Sequence, residues 1–280
     1  MNKEILIICR GGGDLATGIV HRLFRAGYQV LILETAEPAA IRRQVSFCEA
    51  VYEGTATVEG VTAERIYTAK KQAVEEVLQR GRIPLLVDPD GRSIEVLKPD
   101  VVVDAIIAKK NLGTYKEMAP LVIGIGPGFV AGKDVHLVVE SMRGHNLARI
   151  LETGSALANT GIPGNIGGYT KERVIHAAAE GYMKNIHQIG DVVRKGERIA
   201  RIYEQMSPEG VFSGRFVSVE ATIPGVLRGL IREGYHFQKG FKIADIDPRE
   251  SELANCFTIS DKASSIGGSV LEAVCRYVNG

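Results

Sequence analysis

ILIICRGGGDLATGIVHRLFRAGYQVLILE (residues 5–34) decides the fold of this chain. Ile5 to Ile8 is a continuous β-branched and leucine run, the composition of a strand covered on both faces in a parallel sheet. A tight turn follows, in which Gly11, Gly12 and Gly13 carry no side chains and let a pyrophosphate approach the main chain. Leu15, Ile19, Leu23 and Phe24 then recur at helical spacing. The glycines therefore stand at a helix N-terminus, where unpaired N–H groups and the dipole favour an anion. A second apolar run ends at Glu34, 21 residues beyond Gly13. An acid at that distance accepts hydrogen bonds from an adenosine ribose and favours NAD over NADP.

Written as G-x-G-x-x-A, the motif is Gly11, Gly13 and Ala16, and the missing third glycine spaces helix and strand slightly farther apart. GGGDLA resembles the GGGDSA loop of the thioredoxin reductase family, which implies a nicotinamide nucleotide. Asp14 has two readings: its carboxylate caps the helix from outside the phosphate cradle, or fills the cradle and excludes phosphate. The plain alternative is a glycine-rich strand-to-helix turn that binds nothing.

Outward from this segment, the 280 residues suit about two domains, and 45% hydrophobic residues are ample for a buried core. Lys plus Arg total 34 against 33 for Asp plus Glu, so no global basic field draws nucleic acid or an anionic membrane. No stretch has the length or flanks of a signal peptide or a membrane span. Cys9, Cys48, Cys256 and Cys275 are scattered without C-x-x-C spacing, the expectation for a reducing cytoplasm.

Residues 39–53 read as a helix, 57–65 as a short strand region and 69–79 as a further helix closed by Gly81. Ile83–Val87, Val101–Ile106, Leu121–Ile125 and Val135–Val139 are Val/Ile-rich strands between turn or helix signals. This alternation predicts a Rossmann-like α/β domain with a mostly parallel sheet over 1–180. From Ile189 an internal repeat appears: GDVVRKGERIARI (190–202) aligns with GYHFQKGFKIADI (234–246) at an offset of 44. Both halves resemble the segments of biotinyl/lipoyl-type barrel-sandwich hybrids, which predicts an inserted all-β, pseudo-twofold module over 181–250. Carriers of that type bear the cofactor on a hairpin lysine, and residues 203–227 contain no lysine, so no lipoyl or biotinyl lysine is expected. Over 251–280 the chain returns to the α/β domain, with a strand at 257–260 and a helix at 266–278 entered through Gly267 and Gly268.

Other residues are candidates for chemistry. Gly124, Gly126 and Gly128 end a predicted strand and either face the first glycine loop or form a tight GPG turn. Arg143 and His145 lie beyond the strand of 134–140 and suit an anionic ligand. His136, Glu140 and His145 are metal-ligand types, but no paired-histidine helix signature accompanies them, and no metal site is assigned. Residues 153–174 read as a binding loop or a domain linker. Ser260, Asp261 and Lys262 approach the same crevice from the tail or cap a turn. Cys48 and Cys256, next to polar loops, are the thiols placed to handle sulfur or selenium, against the alternative of inert core residues.

RGGGDLATG (10–18), FCEAVYEG (47–54), VIGIGPGF (122–129), DVHLVVESMRGHNLARI (134–150), NTGIPG (159–164), GVLRGLI (225–231), KIADIDPR (242–249) and ISDKASSIGGSVLEA (259–273) together resemble the YqeB family of selenium-dependent molybdenum hydroxylase system proteins. The resemblance implies a cytoplasmic accessory protein in maturation of a molybdenum hydroxylase, related in its glycine-turn domain to the xanthine dehydrogenase accessory family. It implies as partners the hydroxylase apoenzyme or other maturation factors; taken with the glycine-turn geometry, the expected ligand is NAD or another dinucleotide, or the pyrophosphate portion of a molybdopterin dinucleotide. The expected ligand contacts are Gly11, Gly12, Gly13, Asp14, Glu34, Gly124, Gly126, Gly128, Arg143 and His145. No catalytic residue is assigned, and self-association is left open. Two other readings stand beside this one: an NAD-dependent oxidoreductase with His136 or His145 as general acid, and a non-catalytic adaptor that docks to the hydroxylase through its β module.

Overall fold

In the computed structural model, residues 5–159, 161 and 164–280 are described, and the chain divides into two compact units. The first comprises Met1–Pro38, Val45–Thr160 and Ile259–Gly280; the second comprises Ala39–Gln44 and Gly161–Thr258. The NTGIPG segment falls partly outside the described residues.

Among the described residues of the first unit, nine strands form one mixed, mostly parallel sheet. In chain order its elements are β1 (Leu6–Arg10), α1 (Asp14–Arg25), β2 (Gln29–Glu34), α2 (Ala50–Glu53), β3 (Thr55–Val58), β4 (Val61–Ile66), α3 (Lys71–Gln79), β5 (Ile83–Val87), α4 (Ser93–Leu97), β6 (Val101–Asp104), β7 (Leu121–Ile125), β8 (Leu137–Val139), β9 (Ile150–Leu151) and, from the tail, α5 (Asp261–Asn279). The strand order is β3-β4-β5-β2-β1-β6-β7-β8-β9, parallel from β4 to β8 and antiparallel at both edges. Ile7, Ile8, Val30, Leu31, Ile32, Val101, Val102 and Val103 are fully buried, as the continuous apolar runs require of strands covered on both faces. The winding direction reverses between β1 and β6, and in open sheets of this kind ligands bind beyond the carboxyl ends of the strands at such a reversal.

Two local expectations are corrected. Residues 39–53 form short 3₁₀ turns (Arg43–Val45, Phe47–Glu49) and the single helical turn α2, because Phe47 and Cys48 are held by Thr17 and Gly12 and not by an i→i−4 ladder. Residues 257–260 are no strand. Phe257 ends a 3₁₀ stretch, and Ser260 caps α5 by accepting a hydrogen bond from the Ala263 amide at 3.2 Å. Gly267 and Gly268 thus lie inside α5. A Cβ on Gly267 would sit 2.6 Å from the Gly18 carbonyl oxygen of α1, and one on Gly18 would sit 2.7 Å from Ala263 Cβ. Bare backbone lets the two helices meet directly.

The second unit holds β10 (Val174–His176), β11 (Gly181–Asn185), β12 (Val192–Val193), β13 (Arg198–Met206), β14 (Phe212–Glu220), β15 (Gly225–Leu230), β16 (His236–Phe237) and β17 (Lys242–Asp247). Among its described residues they make two four-stranded antiparallel sheets, β10-β17-β15-β12 and β14-β13-β11-β16. Both sheets contribute to one buried core that includes Met183, Ile199, Ile202, Val226, Leu230 and Ile243. The two copies of the repeat exchange hydrogen bonds reciprocally. Gly190 N donates to Leu227 O (2.9 Å) and Gly234 N to Met183 O (2.7 Å); Gly196 N donates to Ala221 O and Gly240 N to Ala177 O, both at 2.8 Å. Every donor and every acceptor in one bond is 44 residues from its counterpart in the other. Each copy also passes from one sheet to the other, β12 to β13 in one direction and β16 to β17 in the reverse. The unit therefore has pseudo-twofold symmetry.

A largely buried ion cluster lies on the β10-β17-β15-β12 sheet. Asp245, 2% exposed, accepts from Arg173 Nη1 at 2.6 Å and Arg228 Nη2 at 2.5 Å, with Lys242 Nζ at 3.8 Å.

Candidate anion-binding site

The glycine turn links β1 to α1, and its hydrogen bonds are specific. Gly11 has φ +98°, and a Cβ there would meet Ala105 O at 2.9 Å, so only glycine fits. Gly12 N–H donates to Glu34 Oε2 at 2.8 Å, while Glu34 Oε1 accepts from Thr35 N at 2.8 Å. Gly12 O accepts from Cys48 N at 2.8 Å and from Thr17 Oγ1 at 3.2 Å. The residue that engages the turn's amide is thus Glu34 from the end of β2. Asp14 opens α1 instead.

Burial pushes the Glu34 carboxyl above its usual range, and the bonds from Thr35 and Gly12 offset only part of that. Cys48 is buried beside it. Burial foremost, then the charges of Glu34, Glu49 and Asp14, raise its thiol pKa well above normal. Burial likewise raises Cys256. At neutral pH both are thiols, the less nucleophilic form.

Gly13, by contrast, has nothing within 4 Å of where a Cβ would stand, and it is the N-cap of the twelve-residue α1. The open part of the turn is here. Lys262, in the first turn of α5, faces the same neighbourhood. Burial foremost, and then Arg143, lower its ammonium pKa, while Asp14, Glu140 and Asp261 act the other way through space. Among the described residues it makes no hydrogen bond and no ion pair within 4.0 Å. Arg143 forms a bidentate pair with Asp261 (2.8 and 3.0 Å). Buried Glu140 accepts from Met142 N at 2.6 Å and Leu157 N at 2.8 Å, fixing the loop that carries Arg143. Charges from α1, the loop after β8 and α5 therefore converge, together with two helix N-termini. Such a group suits an anion.

The remaining candidates have other surroundings. A Cβ on Gly124 would strike the Phe129 ring at 2.5 Å, one on Gly126 would overlap Ser141 Oγ, and one on Gly128 would meet the Lys110 backbone at 2.8 Å. Packing within the protein accounts for all three glycines. His136 Nδ1 accepts from Val122 N at 2.9 Å, and burial lowers its pKa, so the ring is neutral and committed to the sheet. His145 is exposed. Among the described residues no group of three or more His, Cys, Asp or Glu side chains is arranged to hold a metal ion, and no helix is long and apolar enough to cross a membrane.

At the β1/β6 reversal stands a network that the sequence reading missed. Arg10, 2% exposed, donates to Thr114 Oγ1 and to Pro89 O (3.1 Å), and Thr114 Oγ1 donates to Asp104 Oδ2 at 2.5 Å. Arg10 Nη1 and Asp104 Oδ2 are 3.7 Å apart. Arg10 and Asp104 each end an apolar strand, and that abrupt polar ending was the available signal.

The topology and the site define an α/β protein with a doubly wound sheet, a polar cluster at the helix N-termini and an inserted β unit. The chain is similar to the uncharacterized protein YqeB of Escherichia coli: 47% identical over 274 residues, covering 98% of this chain and 48% of that protein. It thus spans about half the length of that curated relative. No family model matches it. Among solved structures, an aspartoacylase family protein of Mesorhizobium loti aligns over 88% of this chain and 86% of that one at 11% identity and a TM-score of 0.30. The product-bound ectoine utilization protein EutE of Ruegeria pomeroyi aligns over 87% and 85% at 11% identity and a TM-score of 0.28.

Proposed function

We propose that this chain is an accessory protein in the maturation of a selenium-dependent molybdenum hydroxylase, and that its first unit binds a phosphate-bearing dinucleotide, NAD or a molybdopterin dinucleotide, over the N-termini of α1 and α5. The similarity to YqeB and the motifs shared with that family support the pathway. The observation that carries the ligand is Lys262, a half-buried ammonium without a hydrogen bond or ion pair among the described residues, beside Arg143 and the open Gly13. The pyrophosphate is gripped by Gly13, Lys262 and Arg143. Both Glu34 oxygens already accept main-chain amides, from Gly12 and Thr35, so the ribose hydroxyl uses a remaining lone pair of that carboxylate.

Titration with NAD, FAD and molybdopterin dinucleotide followed by thermal unfolding tests this: a ligand at 100 times its Kd stabilises by about 2.7 kcal/mol. Lys262→Ala should weaken the responding ligand by about tenfold or more, the cost of one charge-assisted contact. No response to any of the three overturns the reading.

For the second unit we read the reciprocal exchange of hydrogen bonds as support for a barrel-sandwich hybrid serving as a docking module. Its β13–β14 hairpin has no lysine and exposes Phe216, Val217 and Val211. This is also the feature favouring the pure adaptor reading, in which hydroxylase maturation survives Lys262→Ala.

A further inference from the structure

A second concavity lies on the first unit, about 360 Å³ in volume and bounded by α1, the β3–β4 turn and the start of α5. Its lining includes His21, Arg22 and Arg25 of α1, Glu59 of the turn, and Ile259 and Ser264 at the tail. His21 and Arg25 are one helical turn apart and share a face. Lys262 and Ser264 are about 200° apart around α5, so this hollow and the Lys262 cluster lie on different sides of that helix.

Three nitrogen-bearing side chains here meet one carboxylate among the lining residues, and that carboxylate is engaged: Glu59 Oε1 accepts from Ile259 N at 2.8 Å. Arg22 Nη2 donates to Ser264 Oγ at 2.5 Å, which orients one guanidinium and its hydroxyl partner along the wall. His21 Nε2 lies 3.4 Å from Glu59 O. Arg25 has neither a hydrogen bond nor an ion pair among the described residues. Basic residues in a helix's last turn also offset its dipole, but that role needs neither a hollow nor a hydroxyl from another helix.

The geometry points to a phosphate-monoester site in this hollow, with Arg25 and Arg22 on the phosphate oxygens, Ser264 donating to one of them and His21 at the rim. A guanidinium fork matches phosphate oxygens in pairs, and the volume lies at the lower end of the range for small-molecule pockets. The ligand is therefore a small phosphorylated metabolite and not an extended polyanion.

Isothermal calorimetry with inorganic phosphate and ribose 5-phosphate, with sodium chloride as the control titrant, tests the site. Ribose 5-phosphate should bind with a Kd below about 1 mM. Arg25→Gln should weaken it about tenfold or more, and Arg22→Gln similarly. Lys262→Ala should leave it within about twofold, which separates this site from the dinucleotide reading. Arg25 and Arg22 are exposed, so the variants stay folded, as far-UV circular dichroism will verify. Absence of wild-type binding, binding unchanged in Arg25→Gln, or equal loss in Lys262→Ala would each overturn the assignment.

Discussion

Two adjacent glycines in α5 should respond to alanine with opposite signs. A Cβ on Gly267 would lie 2.6 Å from Gly18 O, 3.1 Å from Gly18 C and 3.3 Å from Ile19 Cα. Carbon contacts are optimal at about 3.5–4.0 Å, so α1 and α5 must part by close to ~1 Å, and both sides of the clash are helical backbone that cannot rotate away. Overpacking of this kind costs ~1–3 kcal/mol, and the rigid partners put it in the upper half of that range. Replacing a mid-helix glycine returns ~1 kcal/mol. Gly267→Ala should therefore destabilise the first unit by ~1–2 kcal/mol. Gly268 has nothing within 4 Å of its would-be Cβ, so only the helix term remains, and Gly268→Ala should stabilise by ~0.5–1 kcal/mol. The difference of ~1.5–3 kcal/mol is read by urea unfolding followed by far-UV circular dichroism, with amide exchange in α1 and α5 assigning the transition, because a chain of two compact units need not unfold in one step. Shifts of the same sign and size in the two variants would refute the direct helix contact.

Burial holds the Glu34 carboxyl above its unfolded value, so the folded state keeps a proton that the unfolded chain releases; this contribution to stability is full below about pH 4.5 and is lost as pH rises through the folded pKa. Glu34→Gln removes that dependence, so the wild-type advantage over the variant should shrink in urea midpoints as pH rises above about 4.5, and a gap that widens with pH would contradict it. Asp245→Asn leaves Arg173 and Arg228 without their shared carboxylate and should cost ~3–5 kcal/mol by the same measurement; a loss under ~1 kcal/mol would mean the cluster is not acting as a buried ion pair. In the β unit, Gly181→Ala drives a methyl into Tyr203 O and Gly225→Ala into Asp247 O, symmetry-related contacts, so both should destabilise, each by ~2 kcal/mol or more and within ~1 kcal/mol of the other. Widely unequal losses would argue against the pseudo-twofold arrangement.

Reading the sequence located strands wherever burial on both faces demanded uninterrupted apolar runs: Leu6–Arg10, Gln29–Glu34, Ile83–Val87 and Leu121–Ile125 all announce themselves this way. It failed where a segment's hydrogen bonds go to distant partners. Residues 39–53 read as a helix, but Thr17 and Gly12 take the amides of Phe47 and Cys48, and the segment closes over the glycine turn as 3₁₀ turns. The candidate site divides the same way. Gly11 and Gly13 are legible from spacing, whereas Lys262 gains its meaning only from α5 packing on α1, 248 positions from Asp14.

By itself, then, the sequence determined the strand–turn–helix–strand start, the recurrence at 44 residues and the near-balance of charge, because periodicity, glycine content and repetition act locally. Tertiary structure decided what each glycine and charge is for. Gly124, Gly126 and Gly128 yield to neighbouring side chains and backbone, Gly267 to another helix, and Gly12 donates its amide to Glu34, while Gly13 remains open beside Lys262. A glycine states only that a Cβ is absent; the atom or ligand that takes its space is set by chain segments far away in sequence, and only their packing reveals it.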